Sequence, residues 1–381
     1  MVKFECARCH SGAIEAPPKE KQCTGCHADI MAGTVEATPA KLAHWQANVV
    51  FLADTPTLVY PEKRFRRSWI QSFLLHPHDL RPSLAPSMPR LALSEQEAAD
   101  IAAYLSPLGD PKPSEEARAL EGTNPAMGRE LLDVKGCVLC HRMTGVPPMH
   151  GTMLPVGISP RDMSRAARLA PDLRFTRDRY SAATLVAWLL DPASIKPDTL
   201  MPRMGLTPAE ARNIAAYILH APLAPAEPKV IPLRLPVLDR KVTYDEVATR
   251  VLRKTCWHCH GEPDFERGDG GPGNSGGFGF RGRGLDLSDY AATFAGMLDD
   301  AGRRVSVFAP VASLATDGTS AGFGPAPRED RTPVLVAAML ARQREEAGEE
   351  PAIRGMPLGL PSVLPEDIQL VETWIAEGRP R

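Results

Sequence analysis

Four short motifs in this sequence share the spacing Cys-x-x-Cys-His. They lie at residues 6–10, 23–27, 137–141 and 256–260, and together they use all eight cysteines. A disulfide, a zinc site or a redox-active dithiol would account for a Cys-x-x-Cys pair, but a histidine directly after the second cysteine is typical of covalent haem attachment. Two thiols bond to the vinyl groups on one edge of a porphyrin, and the adjacent histidine is thereby held under the iron. The motifs therefore predict four covalently bound haem c groups.

These motifs assign two roles. We expect thioether bonds at Cys6, Cys9, Cys23, Cys26, Cys137, Cys140, Cys256 and Cys259, and proximal iron ligands at His10, His27, His141 and His260. A haem that only carries electrons has both axial positions filled, and a methionine thioether as second ligand raises its reduction potential. Each haem therefore needs a distal ligand from elsewhere in the chain.

The composition limits the class of protein. A chain of 381 residues is too long for one compact core, and 43% hydrophobic residues with 38 prolines favour helices joined by long irregular loops. The formal net charge is −2, and the propionates of four ferric haems would add about −4, so nucleic acid is not an expected partner. No apolar run reaches about 18 residues, the length of a transmembrane helix.

Covalent haem also predicts a location. It is installed outside the cytoplasm, so we expect a protein that is periplasmic or otherwise outside the cytoplasm and that can be peripheral to the membrane. Met1 stands five residues before the first haem cysteine, which leaves no room for a signal peptide. We therefore expect a mature or truncated chain whose export signal or membrane anchor lies outside this sequence.

An internal repeat organises the chain. Residues 74–105, LLHPHDLRPSLAPSMPRLALSEQEAADIAAYL, match residues 189–219, LLDPASIKPDTLMPRMGLTPAEARNIAAYIL, once two residues are allowed as an insertion before Met-Pro. Both copies end in an amphipathic helix with a Ser or Thr N-cap. A more diverged third copy, GMPLGLPSVLPEDIQLVETWIAEG, lies at 355–378. Proline-rich linkers at 110–125 and 221–236 separate three modules.

In this order the motifs resemble those of class I c-type cytochromes. In the second copy, GRELLDVKGCVLCH resembles the family's N-terminal helix and haem motif, APDL its mid-domain turn, TLMPRM its distal-methionine loop and LTPAEARNIAAYIL its closing helix. The resemblance is close over 127–220, good over 23–105 and looser over 244–378. It implies an all-α fold of three tandem class I cytochrome c domains with long irregular loops. The predicted domains are 1–110, with an extra haem at 6–10 and a class I domain at 23–105, then 123–222, and then 238–381 with a glycine-rich insertion.

Three methionines precede proline in the repeated loop and are the predicted distal ligands: Met88, Met201 and Met356. A methionine is more often a packing residue, but only these three occupy the repeated position. Met204 is the alternative to Met201, although no proline follows it and Leu91 stands at its place in the first copy.

Spacing distinguishes the two N-terminal motifs. His27 precedes Met88 by 61 residues and His141 precedes Met201 by 60, whereas His10 precedes Met88 by 78. The haem on the second motif is therefore assigned to the first class I domain. The haem on the first motif is an addition to it.

This additional haem needs its own distal ligand, and closely spaced motifs are typical of bis-histidine multihaem cytochromes. The candidate histidines are His44, His76, His78, His150, His220 and His258. We predict His44, in the apolar stretch KLAHWQANVVFL, with His78 as second choice. A lone histidine on an apolar helix is more often a packed core residue than a ligand.

Two further segments carry expectations. In the third copy His260 precedes Met356 by 96 residues, and we expect the glycine-rich GDGGPGNSGGFGFRGRGLDLS to supply much of the excess as a loop over the haem edge, with Arg281 and Arg283 near propionates. It lacks the GKS or GKT of a phosphate-binding loop. The basic run PEKRFRRS at 61–68 is either a solvated helix start or a docking patch for an acidic redox partner.

Together these observations predict a tetrahaem electron carrier. Similar strings of class I modules serve as cytochrome subunits of membrane respiratory or photosynthetic complexes, and the resemblance implies redox partners of that class: a cytochrome bc-type complex, a dehydrogenase or a terminal oxidase. The alternative is a multihaem oxidoreductase, peroxidase-like, whose N-terminal haem keeps an open coordination position. The sequence leaves open the electron donor and acceptor, the order of potentials and the oligomeric state.

Overall fold

The protein is mainly α-helical. The computed structural model describes residues 1–4, 6–12, 14–17, 22–49, 55–78, 80–84, 88–91, 93–151, 160–227, 229–257, 260–261, 284–299, 302–311, 331–358 and 360–381. In these ranges the regular structure is fifteen α-helices, one π-helical segment, a few 3-10 turns and one two-stranded ribbon. The predicted all-α class is therefore confirmed at this level.

The helices are α1 (Cys23–Ala32), α2 (Pro39–Val49), α3 (Arg67–Leu75), α4 (Glu95–Leu105), α5 (Pro113–Ala119), α6 (Pro125–Val134), α7 (Pro160–Leu169), α8 (Thr176–Arg179), α9 (Ala182–Leu190), α10 (Pro192–Ile195), α11 (Pro208–His220), α12 (Tyr244–Val247), α13 (Tyr290–Phe294), α14 (Val334–Glu346) and α15 (Pro365–Ala376). The π-helical segment Ala248–Cys256 continues α12. Strands β1 (Met297–Leu298) and β2 (Arg304–Val305) pair antiparallel, with Met297 opposite Val305. No helix among the described residues is both long and apolar enough to cross a membrane.

The chain forms two compact units. Unit one comprises residues 1–10, 15–55 and 228–381, and unit two comprises residues 11–14 and 56–227. The predicted first domain, 1–110, contributes residues to both units.

Two pairs of helices in unit two begin at aligned positions of the sequence repeat. Helix α3 spans nine residues and α9 spans nine, and their first residues, Arg67 and Ala182, are aligned in the repeat. After the two-residue shift, α4 and α11 also begin at aligned positions, Glu95 and Pro208.

The caps of α4 and α11 explain these shared starts. Ser94 accepts a hydrogen bond from the Glu97 amide, and the Glu97 carboxylate accepts one from the Ser94 amide. Thr207 and Glu210 repeat this capping box at α11. Each box satisfies two backbone donors that a helix start leaves unpaired, so short-range chemistry sets the boundary in both copies.

Unit two is built around the crossing of α6 and α11. A Cβ atom on Gly128 would lie 2.0 Å from the Asn213 carbonyl oxygen, so only glycine allows the two helix backbones to approach this closely. Around the crossing, Leu132, Ile214 and Ile218 are at most 1% exposed. The crossing therefore anchors the helix that leads into the 137–141 motif.

Two apolar clusters lie among the described residues of unit one. A small one joins α1 and α2 through Ile30, Trp45 and Val49. A larger one includes Leu252 and Trp374 and packs α12 and the π-helical segment against α15. As in unit two, the helix that leads into a haem motif packs on the closing helix of its module.

Candidate functional site

The motif at 137–141 follows α6 through a sharp turn. Gly136 has φ 70°, a left-handed conformation that glycine adopts without strain. The amides of Cys140 and His141 then both donate to the Cys137 carbonyl oxygen, at 3.2 and 3.0 Å. Both cysteines are half-buried and outside any disulfide, and burial raises the pKa of the Cys137 thiol to about 11. One backbone turn thus carries both thiols and the imidazole.

The imidazole of His141 is oriented by a backbone carbonyl. Its Nδ1 lies 2.8 Å from the Pro171 oxygen, and because a carbonyl only accepts, Nδ1 carries the proton and Nε2 keeps its lone pair. Desolvation lowers the pKa of His141, although the Pro171 carbonyl opposes the shift. A neutral imidazole with one nitrogen anchored in this way is the form that binds a metal ion.

Asp172 locks the turn that presents this carbonyl. The side chain is 4% exposed and accepts hydrogen bonds from the Thr144 amide at 3.1 Å, the Thr144 hydroxyl at 2.7 Å and the Arg174 amide at 2.9 Å. It ties the turn at Pro171 to the chain that follows the haem motif. The APDL turn was expected from the sequence, but this role of Asp172 was not. Its signal in the sequence is an aspartate two residues before a backbone amide to which its side chain can bind.

Met201 lies against an indole nitrogen. Nε1 of Trp188 donates to the Met201 sulfur at 2.9 Å, and the Met201 amide donates to the Thr199 hydroxyl at 3.2 Å. Met204 is half-buried and packs on the same core as Met201, so burial does not decide which of the two is the distal ligand. The contact with Trp188 is made by the sulfur of Met201. The sequence signal for Trp188 is Phe73, the aromatic residue at its place in the first copy.

The residues around His141 fit a covalently attached haem. Two thiols, an imidazole with Nε2 as its acceptor and a thioether are the donors that a class I c-type haem requires. Cys137 and Met201 both pack on the core of unit two. Across the described ranges, no three His, Cys, Asp or Glu side chains come together as a metal site.

The motif at 256–260 has a related proximal turn. The His260 amide donates to the Cys256 carbonyl oxygen at 2.8 Å, and the Leu287 amide donates to the His260 carbonyl oxygen at 2.8 Å. Desolvation lowers the pKa of His260, and the neighbouring Leu285 backbone and Asp286 oppose the shift, although Nδ1 of His260 has no hydrogen-bond partner of normal geometry. Asp286 accepts from the Ser288 amide at 2.9 Å, as Asp172 does from the Arg174 amide. The segment 284–287 therefore resembles APDL at 170–173.

This resemblance bears on the expected insertion in the third module. His260 precedes Leu285 by 25 residues, fewer than the 30 between His141 and Pro171. Most of the glycine-rich segment lies outside the described residues, so its role as the source of the additional length stays a prediction. Cys259, His258, Arg281 and Arg283 lie outside the described residues.

The loop of Met356 is held by side chains of α14. The Met356 amide donates to the Ala338 carbonyl oxygen at 2.9 Å, and the Gly355 amide donates to the Glu345 carboxylate at 2.8 Å. Arg342, 5% exposed, donates to the Leu360 carbonyl oxygen at 2.8 Å and pairs with Glu345 at 3.4 Å. This clamp was not anticipated, because a charged run on a helix usually faces solvent.

The two N-terminal motifs lie side by side in unit one. The pKa of the Cys9 thiol is raised, first by a hydrogen bond with the Cys23 thiol and then by burial. The first motif is a 3-10 turn in which the His10 amide donates to the Cys6 carbonyl oxygen at 2.8 Å. The second motif forms the first helical turn of α1, with His27 9% exposed. Their adjacency agrees with two neighbouring haem sites.

The distal ligands of these two motifs stay predictions. His44 is exposed on α2, next to the buried Trp45. His78 is exposed in unit two, where its ring centroid lies 5.4 Å from that of Phe73. Met88 is half-buried and also belongs to unit two.

The remaining candidate histidines that the structure describes, His76, His150 and His220, are exposed.

Comparison with protein-family models, with curated proteins and with solved structures gave no match. The site is therefore interpreted from its own sequence and geometry.

Proposed function

We propose that this chain is a tetrahaem c-type cytochrome, with three tandem class I domains and one additional N-terminal haem, that carries electrons between redox partners. The observation that carries the proposal is the hydrogen bond from His141 to Pro171, directly after the two thiols of Cys137 and Cys140. A haem ligand requires this anchoring of one nitrogen. A disulfide or a dithiol does not.

Each group of residues has a separate task in this function. Cys137 and Cys140 would attach the haem covalently, and His141, oriented by the turn at Asp172, would offer Nε2 as an iron ligand. Met201, in contact with Trp188, would offer its sulfur as a second ligand. When bound, the haem supplies reversible one-electron transfer at its iron.

The partners follow from the same proposal. Several haems on one chain turn repeated encounters into transfer within a molecule, which suits a cytochrome subunit or partner of a membrane complex. We infer redox proteins or a cytochrome bc-type complex, a dehydrogenase or a terminal oxidase as partners. Covalent haem assembly puts the protein outside the cytoplasm.

Haem content tests this proposal directly. A pyridine haemochrome assay of the wild-type chain should give four haems, and the double variant Cys137→Ser/Cys140→Ser should give three. The variant His150→Ala changes an exposed histidine outside the motifs and should keep four. A wild-type chain with fewer than four haems would contradict the proposal.

The oxidoreductase alternative depends on the N-terminal haem. His44, the predicted distal ligand of this haem, is exposed on α2. This exposure is the observation that favours an open coordination position. Carbon monoxide added to the reduced wild-type protein discriminates the two functions, because it binds only where a distal position is open or displaceable. If the chain is an electron carrier, the reduced wild-type protein binds no carbon monoxide. The variant His44→Ala, which lacks the predicted distal ligand, then binds one equivalent. Binding by the wild-type chain would favour the oxidoreductase.

A further inference from the structure

Two buried arginines of unit two occupy equivalent positions in the sequence repeat. Arg64 and Arg179 are 4% and 8% exposed. Each stands ten residues before the aligned leucines at 74 and 189, in RFRRSWIQSFLLHP at 64–77 and RYSAATLVAWLLDP at 179–192. Neither expectation for the basic run at 61–68 describes Arg64, because its side chain turns inward.

The two arginine segments pack against each other. The Arg66 amide donates to the Arg179 carbonyl oxygen at 2.8 Å, and Nε of Arg66 donates to the Tyr180 carbonyl oxygen at 2.9 Å. The Phe65 and Tyr180 rings, also at aligned positions, meet edge to face at 5.6 Å. The repeat copies thus meet through the same short segment of each.

Neither arginine forms an ion pair among the described residues. Arg64 donates only to the carbonyl oxygens of Thr57 and Val59, at 3.3 Å each. Nε of Arg64 and Nε of Arg179 are buried without a hydrogen-bond partner. Burial lowers the pKa of Arg179, Tyr180 opposes this shift, and the charges of Arg64 and Arg81 add to it.

The acidic groups near Arg64 act only at longer range. Burial lowers the pKa of Arg64, and Tyr180, Asp198 and Glu62 raise it, but Asp198 is paired with Lys196 at 2.8 Å. Among the described residues, neither carboxylate forms an ion pair with Arg64.

Aromatic faces offset only part of this burial. The Arg179 guanidinium lies over the rings of Phe65, Trp69 and Tyr180, at 5.1, 5.3 and 5.6 Å from their centroids. A cation over an aromatic ring is favourable, but rings supply no negative charge to two neighbouring cations. Buried charges in proteins are paired, so this site requires an anion.

The geometry and the guanidinium chemistry indicate a carboxylate. The planar fork of arginine binds carboxylates through two parallel hydrogen bonds. Arg179 ends α8, directly after the turn that anchors His141, and its charge lowers the pKa of His141. The Tyr180 ring lies 6.3 Å from Trp188, the residue that contacts Met201. Arg179 and Tyr180 thus lie near residues that are proposed to bind the haem at 137–141.

We propose that Arg64 and Arg179 form an anion site that holds a propionate carboxylate of the haem attached at Cys137 and Cys140. This inference rests on the proposed function. Its specific consequence is that Arg64, a residue of the first repeat copy, sets the reduction potential of a haem that belongs to the second copy.

The test uses the full-length holoprotein with haem that carries 13C in its propionate carboxylates. Infrared difference spectra between oxidised and reduced protein then isolate those carboxylates, and a potentiometric titration follows the haems. In R64Q and in R179Q we expect the labelled bands to shift. We also expect one haem to favour its oxidised state about tenfold more, a fall of 59 mV for one electron, because a positive charge near the iron is lost.

A matched control and a conservative series complete the test. R67Q removes a charge three residues from Arg64, where Nε of Arg67 donates to the Ser106 carbonyl oxygen at 2.7 Å, and should leave the labelled bands and the potential unchanged. R64K and R179K keep the charge without the fork, so we expect shifted bands with most of the potential retained. If a glutamine variant fails to fold, the labelled bands of the lysine variants still test whether a propionate occupies the site.

Three results would overturn the inference. Unchanged labelled bands in all four variants at Arg64 and Arg179 would exclude a propionate at the site. A potential that responds to added acetate, with unchanged bands, would assign the site to a free carboxylate instead. Unchanged reduction potentials in R64Q and R179Q would contradict the predicted influence of Arg64, in the first repeat copy, on the haem of the second copy. In each case, four haems on the wild-type chain would leave the proposed function intact, whereas fewer would overturn that function itself.

Discussion

Nδ1 of His141 donates to the carbonyl oxygen of Pro171 across 2.8 Å, although thirty residues separate the two in the chain. This contact fixes which ring nitrogen is available to a metal ion, and it depends on the turn that Asp172 holds in place. The site around the 137–141 motif is therefore assembled from three separate segments: the motif, the proximal turn and the loop of Met201.

Replacing Asp172 with alanine should loosen the proximal turn. The Thr144 and Arg174 donors would lose a partly buried acceptor, so we expect the free energy of unfolding to fall by about 2 kcal/mol. Urea unfolding of the holoprotein, followed by circular dichroism, measures this change. Asp178→Ala, an exposed position on α8, should stay within about 0.5 kcal/mol of the wild type. Equal effects of the two variants would contradict the assigned role.

Replacing Trp188 with phenylalanine should lower the reduction potential of the haem bound at 137–141. The variant keeps an aromatic ring, as the first copy has at Phe73, but removes the donor to the Met201 sulfur. A sulfur without that hydrogen bond donates more strongly and favours the oxidised iron. We expect about 1 kcal/mol, or roughly 40 mV, in a potentiometric titration. Trp69→Phe, which leaves the Met201 contact intact, should leave this potential in place.

Replacing Arg342 with glutamine should release the loop of Met356. Arg342 and Glu345 are each 6% exposed in their side chains, and removing one partner of a buried pair costs about 3 kcal/mol. We expect loss of the methionine ligand, detected as carbon monoxide binding to one additional reduced haem. Arg344→Gln, on the same helix, breaks a more exposed pair with Glu349 and should cost under about 1 kcal/mol without opening a haem.

Replacing Gly128 with alanine should disrupt the crossing of α6 and α11. The added Cβ would meet the Asn213 carbonyl oxygen at 2.0 Å, so the helices must separate, at a cost of about 3 kcal/mol. The urea midpoint of the full-length protein measures the loss. Glu130→Ala, at an exposed position of α6, should leave the midpoint unchanged. A stable Gly128→Ala variant would show that the two helices approach less closely than described.

Local features of this protein were readable from its sequence. The haem motifs are defined by residue types within five positions, and the repeat placed the starts of α4 and α11 because capping boxes act within one turn of a helix. The all-α class followed in the same way from composition and helical periodicity. The axial roles of the methionines remain predictions that the spacing of the repeat supports.

Other features were decided by residues far apart in the chain. The basic run at 61–68 predicted a solvated or docking segment, yet Arg64 is buried because the second copy packs against it. A single sequence shows charge and spacing, whereas the burial of a charge depends on which distant segment covers it. The sequence alone therefore determined where the helices of the repeat begin, and the haem attachment that it predicts stays a prediction. Only the tertiary structure decided which carbonyl orients His141, which indole holds Met201 and which arginines lack a counter-ion, because each depends on long-range packing.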